Sequence, residues 1–280
     1  MNEIEAATPA RPGSSRSRLL TPNGGGQFAA IIFDMGSTLL EFENIPWPVL
    51  YRFCLDDVHR RLIRLGHRPP DVEVFWQRFD ALLNRRRKRI ALAMREYRIG
   101  ELLRDQARSF GIDLHPGDLT TLCDAYYAPI RRAVTMYPDA PLVLRTLKEA
   151  GYKIGLLSNT CFRARDHLEE LRHFRLRPYF DALVFTSTGI YRKPHPAPFR
   201  LIASRLGVPL KRSLYVGDRQ KEDVLGPQSL GMTAVLVRRA LRRYEPGLTQ
   251  SAEIAQLADM LSLLPLRRDA RERVRTAKTV

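Results

Sequence analysis

Cysteine, tryptophan and lysine are scarce in this 280-residue chain, numbering three, two and seven. Cys54, Cys123 and Cys161 are too few and too scattered for a disulfide framework or a zinc site, so a reducing cytoplasm is the expected setting. Long apolar runs are missing as well. The longest, Phe28 to Phe33, has six residues, far short of the roughly 20 that a membrane-spanning helix needs. The first eighteen residues hold charges, prolines and serines but no apolar run, so no secretory signal is read there. Acidic residues are the minority, 30 against 46 basic ones, for a net charge of +16. Nearly all of the basic residues are arginines, which fork carboxylates and phosphates in two-point contacts. A general attraction for anions follows. No nucleic-acid-binding motif accompanies the charge, and aromatic residues are not interleaved with the run Arg85–Arg89. A small phosphorylated molecule is therefore the expected partner, ahead of nucleic acid, and no membrane is expected.

Along the chain, residues 1–28 read as a disordered tail rich in proline, serine and glycine. Order begins at Ala29-Ala30-Ile31-Ile32-Phe33-Asp34, an apolar run bounded by glycines that predicts a buried parallel strand. From Trp47 to Val134 the apolar spacing is helical. Leu50, Phe53, Cys54, Val58 and Leu62 make one amphipathic helix, and 71–92, 97–110 and 118–133 predict three more. After Pro138 strands and helices alternate, with strands at 153–158, 182–186, 213–217 and 233–237 and helices between them. That alternation predicts an α/β fold, a Rossmann-like parallel sheet core with helices on both faces. The first strand must join this sheet, since a lone buried strand leaves its backbone unpaired. The expected organisation is a core of residues 29–41 and 137–240, an inserted all-α cap over 42–136, and a basic C-terminal helix or tail over 241–280.

Ligands of open parallel sheets bind beyond the carboxyl ends of the strands. Strand one here ends in Asp34-Met35-Gly36-Ser37-Thr38 and strand two in Ser158-Asn159-Thr160. Arg192-Lys193-Pro194 follows strand three, and strand four ends in Gly217-Asp218 with Asp223 five residues on. A carboxylate such as Asp34 can attack phosphorus and form an aspartyl phosphate. Two facing carboxylates, Asp34 and Asp218, repel unless a cation lies between them, and hard oxygen ligands select Mg²⁺. Ser158, Asn159 and Lys193 can hold the phosphoryl oxygens.

These four segments together resemble the motifs of the haloacid dehalogenase superfamily over about residues 29–240, with a helical insertion similar to the cap of the phosphoglycolate-phosphatase-like branch. The resemblance implies a hydrolase with Asp34 as nucleophile and Mg²⁺ held by Asp34, the Gly36 carbonyl and Asp218, with Asp223 in support. One position departs from it. Family phosphatases usually carry a second aspartate, the acid and base for the leaving group, two residues after the nucleophile; Gly36 stands there. Three readings follow. The substrate's leaving group needs little protonation; or a cap group such as His59, His67, Asp56 or Asp57 supplies the proton; or the chain is a weak or inactive hydrolase that binds anions or nucleic acid. Hydrolysis of a carbon–halogen bond, which tolerates a non-acidic residue at this position, is the other alternative, set against the metal-binding look of Asp218 and Asp223. His195 reads as a loop residue and Cys161 as a packed thiol. Trp47 and Trp76 read as core or cap anchors. Arg238, Arg239, Arg242 and Arg243 form a basic cluster that could hold an acidic partner.

Overall fold

A computed structural model describes residues 19–266 apart from 24, 241, 248 and 249; of the expected tails over 1–28 and 241–280, residues 1–18 and 267–280 lie outside the described residues. Six parallel strands form the central sheet, in the order β5-β4-β1-β6-β7-β8. They are β1 (Ala30–Phe33), β4 (Lys153–Ser158), β5 (Ala182–Phe185), β6 (Ser213–Gly217), β7 (Thr233–Val237) and β8 (Ala252–Ile254). β1 shows why the run was buried on both faces. Ile31 and Phe33 point into one apolar cluster with Leu144 and Leu147 of α5 (Ala140–Glu149) and Leu171 of α6 (Ala164–His173). Ala30 and Ile32 point into another with Phe199, Ile202 and Leu206 of α7 (Pro196–Leu206). This is the period-two alternation of a strand covered by helices on both sides.

Between β1 and β4 the chain leaves through β2 (Leu40–Glu41) and returns through β3 (Thr135–Met136), which pair antiparallel. Between them stand α1 (Trp47–Arg64), α2 (Val72–Ala93), α3 (Ile99–Arg108) and α4 (Pro116–Ala133). Their inner faces bury Leu50, Val58, Phe75, Phe79, Leu102 and Tyr127 in an apolar cluster continuous with one face of the sheet. The helical insertion is thus joined to the sheet by hydrophobic contact around β2 and β3.

Two expectations are corrected. The stretch after residue 240 is not only a tail. β8 adds a sixth strand, and the 3₁₀ turns of Leu257–Leu263 bury Leu257, Met260 and Leu261. The strand is three residues long and follows a stretch of arginine and proline, which hid it. At the other end, residues 19–28 are not wholly disordered: the Leu20 amide donates to the Leu263 carbonyl at 2.8 Å, and Phe28 is buried. A third difference is local. The helix expected between the strands at 213–217 and 233–237 is a π-helical turn, Gln220–Leu225, followed by a single α turn. Wide turns of this kind recur at functional sites.

Candidate active site

The parallel register determines what meets what. Phe33 pairs with Leu156 on one side and Val216 on the other, so Asp34, one residue on, stands level with Leu157 and Gly217. Ser158 and Asp218 then follow at the same edge. Lys193 comes back to this edge from the loop between β5 and α7. Its ammonium is buried and donates to Asp34 Oδ1 at 2.7 Å, Asp223 Oδ1 at 2.6 Å and the Tyr215 hydroxyl at 2.7 Å. An ammonium has three donors, and all three are used. Asn159 fixes the loop that carries it, accepting from the Lys193 amide at 2.8 Å and donating to the Lys193 carbonyl at 3.0 Å.

Asp34, Gly36, Ser158, Asn159 and Lys193 line a single cavity of about 540 Å³ that runs from the sheet edge to the cap. Asp218 and Asp223 are buried beside it. Every residue expected from the four segments is therefore brought together. Oxygens of Asp34, Asp218 and Asp223 lie within 4.8 Å of one another. Gly217 makes that possible, since a Cβ there would stand 2.5 Å from Asp223 Cγ. Asp223 is fully engaged: Oδ1 accepts from Lys193, and Oδ2 accepts from the Arg219 amide at 3.0 Å. Asp218 is not. Its Oδ2 accepts from Arg242 Nε at 2.6 Å, but among the described residues its Oδ1 is buried without a partner. A buried carboxylate oxygen left bare among other carboxylates, in an all-oxygen donor set, fits a hard divalent cation.

Burial, with Asp223 and Asp218 adding repulsion, outweighs the pull of Lys193 and pushes the Asp34 carboxyl up to about 7. Burial and Asp223 likewise raise Asp218. Lys193 itself is driven well above its ordinary range by the two carboxylates, despite its burial, and stays charged.

The proposed proton donors in the cap do not reach this site. His59 Nε2 meets the Pro70 carbonyl at 2.8 Å, His67 faces Asp118, Asp56 accepts from the Trp76 indole, and Asp57 pairs with arginines. None of them lines the cavity. The arginine cluster is also reassigned. Arg239 bonds the Ser37 and Thr38 carbonyls and stacks on Tyr137, while Arg242 bonds Asp218, Ser37 and Glu43. These two point inward as braces of the motif-one loop, leaving less of a basic surface. His195 caps α7 through its Nδ1 and stacks on Tyr191. Cys161 lines the cavity, but burial pushes its thiol up to about 12, which suits packing. Trp47 lines the cavity, whereas Trp76 carries Arg52 on its face. Sequence reasoning missed Glu43 and the role of Arg242, because neither belongs to a strand-end segment. It also missed His167, whose Nε2 meets Thr160 Oγ1 at 2.7 Å and whose Nδ1 meets Glu170 at 2.9 Å, within a buried network on the cavity wall.

Comparison with known proteins agrees with this geometry. Residues 28–231 match the family model of the haloacid dehalogenase-like hydrolases. The chain is 31% identical over 132 residues to the glyceraldehyde 3-phosphate phosphatase of Methanopyrus kandleri, 47% of this chain and 56% of that one. It is 29% identical over 147 residues to the phosphoglycolate phosphatase of Yersinia pseudotuberculosis, 51% of this chain and 61% of that one. The matches thus span between about half and three-fifths of these relatives' length. Among solved structures, a HAD phosphatase from Thermococcus onnurineus superimposes with a TM-score of 0.57 at 26% identity, covering 85% of this chain and 99% of that one. The strand-end carboxylates, the helical insertion and the matched model together place the chain in the haloacid dehalogenase-like hydrolase family.

Proposed function

We propose that this chain is a Mg²⁺-dependent phosphatase of small phosphorylated substrates, working through an aspartyl phosphate on Asp34. The observation that carries the reading is the buried meeting of Asp34 with Lys193, beside the bare Oδ1 of Asp218, at the floor of one cavity. The phosphatase relatives support it. A cation held by Asp34, the Gly36 carbonyl and Asp218 would neutralise charge between carboxylate and phosphate. Asp34 attacks phosphorus with one carboxylate oxygen. Ser158 holds the phosphoryl oxygens together with Lys193, which turns one of its three donors from a protein partner to the phosphate, and Asn159 fixes the lysine's loop. Asp223 keeps Lys193 in place, and Arg242 holds Asp218 in place from its other oxygen. Carbon–halogen hydrolysis needs no cation and would leave Asp218 Oδ1 without a purpose. The test is phosphate release from alkyl and aryl monoesters with and without Mg²⁺. Mg²⁺-dependent release supports the reading; a folded protein that releases none from any ester overturns it in favour of an anion binder.

Two results are expected beside it. A carboxyl raised from 3.8 to about 7 in the folded state binds its proton more tightly there than in the unfolded chain. Its contribution to stability is therefore lost as pH rises from about 4 through 7, where folding forces the charge into place. A bound cation offsets that cost, so Mg²⁺ should raise the melting temperature clearly at pH 8 and little at pH 5.5. Equal shifts at both values would argue against a cation at Asp34. The second result concerns Gly36, where a Cβ would meet only Phe42 at 3.6 Å, an ordinary contact. Gly36→Asp should therefore fold and supply a general acid. Since such help is typically worth about 10² to 10⁴ in rate, alkyl monoesters should gain at least about tenfold in kcat/KM. No gain would show that proton supply is not limiting.

A further inference from the structure

The aromatic wall of the cavity indicates what the leaving group is, on the premise that the site is a phosphatase. Trp47 and Phe162 stack with centroids 6.5 Å apart, Tyr126 follows Phe162 at 6.2 Å, and Phe79 follows Tyr126 at 5.9 Å. All four line the cavity. A substrate entering it meets ring faces and edges, which favour a flat aromatic group. The next observation comes from the basic run of α2. Phe79, Leu83 and Arg87 lie four residues apart, on one stripe of the helix, and all three line the cavity. Exposure rises along the stripe, from 0% at Phe79 through 8% at Leu83 to an exposed Arg87 at the rim. The neighbours of Arg87 are directed elsewhere. Arg86 is paired with Asp105 at 2.6 Å and Glu101 at 3.6 Å, and Arg85 and Lys88 are exposed off the cavity. Among the described residues, two cavity arginines have no acidic partner, Arg219, which follows Asp218 at the sheet edge, and Arg87, which stands on the cap side, while Arg192 and Arg242 are held by Glu96, and by Asp218 and Glu43. A guanidinium aimed into an aromatic cavity without a carboxylate of its own is placed to take one from a ligand. The remaining observation is Gly36: the position two residues after Asp34 carries no acid.

We propose that the substrate class is an aryl phosphate carrying a second anionic group, with the ring against Trp47, Phe162 and Tyr126 and the distal anion on Arg87. The three observations agree on chemistry. A phenolate leaves without prior protonation, since a phenol's pKa is near 10, far below that of an alkyl alcohol, which is comparable to water. In the transfer, an Asp34 oxygen bonds to phosphorus as the phosphorus–aryl oxygen bond breaks. The bonding pair departs on the phenolate, which afterwards takes a proton from water. Water then attacks the same phosphorus and loses a proton to solvent, the bond to Asp34 breaks, and inorganic phosphate leaves with the Asp34 carboxylate restored.

The experiment compares 4-carboxyphenyl phosphate, 4-carbamoylphenyl phosphate and glycerol 1-phosphate on the wild-type protein and Arg87→Met, with Mg²⁺ present. The aryl esters should exceed glycerol 1-phosphate by about 10² in kcat/KM. The carboxylate should exceed its neutral match by about tenfold, mainly through KM, as one charge-assisted contact provides. That ratio should fall close to one in Arg87→Met. Glycerol 1-phosphate hydrolysed as well as the aryl esters would overturn the substrate class and leave the phosphatase reading standing. A carboxylate advantage that survives Arg87→Met, or an equal loss on all three esters, would overturn the role of Arg87. Calorimetric titration with 4-carboxyphenylphosphonate and phenylphosphonate reads the same contact without turnover. The carboxylate should again bind about tenfold tighter in the wild type and not in Arg87→Met. That result from a protein that hydrolyses nothing would sustain the ligand class while the phosphatase reading fails.

Discussion

Replacing Asp34 by asparagine should reduce turnover by about 10⁴-fold or more, the scale of losing a nucleophile, without lowering the melting temperature. The two halves of this result have different causes. Asparagine keeps the shape and can still accept from Lys193, but its amide cannot form the bond to phosphorus. Meanwhile Asp34 is a carboxylate whose charge the fold resists, raised to about 7 by burial and by Asp223 and Asp218. Above that pH the folded protein holds it ionised at a cost, so an uncharged isostere relieves repulsion among three buried carboxylates. The cation-free variant should be as stable as the wild type at pH 5.5 and more stable at pH 8. Thermal melts and phosphate release on one preparation check both halves. Turnover close to wild type would remove Asp34 from the chemistry; a variant that melts far lower at pH 8 would show that its charge is a net support of the fold.

Lys193→Met should be the most destabilising single change in the site. The ammonium is 2% exposed and bonds Asp34, Asp223 and Tyr215 at 2.6 to 2.7 Å. Removing one member of a buried charge group leaves the others uncompensated, typically at about 3–5 kcal/mol. For a chain somewhat over 250 residues that corresponds to a fall of roughly 10 °C in melting temperature. The sign of the pH dependence follows from what remains. Without the lysine, Asp34 loses the charge that holds its proton affinity down, so its carboxyl stays protonated to higher pH in the folded state. The loss should be largest at pH 8 and shrink toward pH 5.5, where protonation removes the repulsion, and Mg²⁺ at pH 8 should restore part of it. Activity should fall by orders of magnitude at every pH, because the phosphoryl oxygens lose their buried cation. A pH-independent loss of stability would point to lost packing of the lysine stem instead.

The strand-end chemistry was legible because it is local. Strand one announces itself as Ala30-Ile31-Ile32-Phe33, four apolar residues buried on both faces, and the residue after it must stand at the sheet edge. The same holds for Asp218 after β6 and for Ser158 at the end of β4. Once the strands are parallel and adjacent, period two and a common register bring these residues together. Lys193 was legible for a different reason: it lies in the loop that follows a strand of that sheet, and its charge complements the carboxylates it meets.

Distance along the chain hid the rest. Arg239 reaches Ser37 across 202 positions, and Arg242 reaches Glu43 across 199, so no local pattern distinguishes these inward braces from a basic surface. β8 is three residues at a sheet edge, too short for its alternation to register. His59, His67, Asp56 and Asp57 had the right chemistry for proton transfer, but the phase of α1 turned Asp56, Asp57 and His59 toward the helical insertion's own partners, and His67, in the turn after α1, faces Asp118. The run Arg85–Arg89 could not be ranked by composition, since helical rotation sends successive side chains about 100° apart. Only the packing of α2 over the cavity selected Arg87, through the stripe it shares with Phe79 and Leu83. The positions of five core strands and the carboxylates, hydroxyl and lysine that stand at or after their ends follow from short-range periodicity and were written in the chain. The substrate wall, the orientation of the arginines and the exclusion of the cap acids depend on how the cap docks on the sheet, which nonlocal packing alone decides.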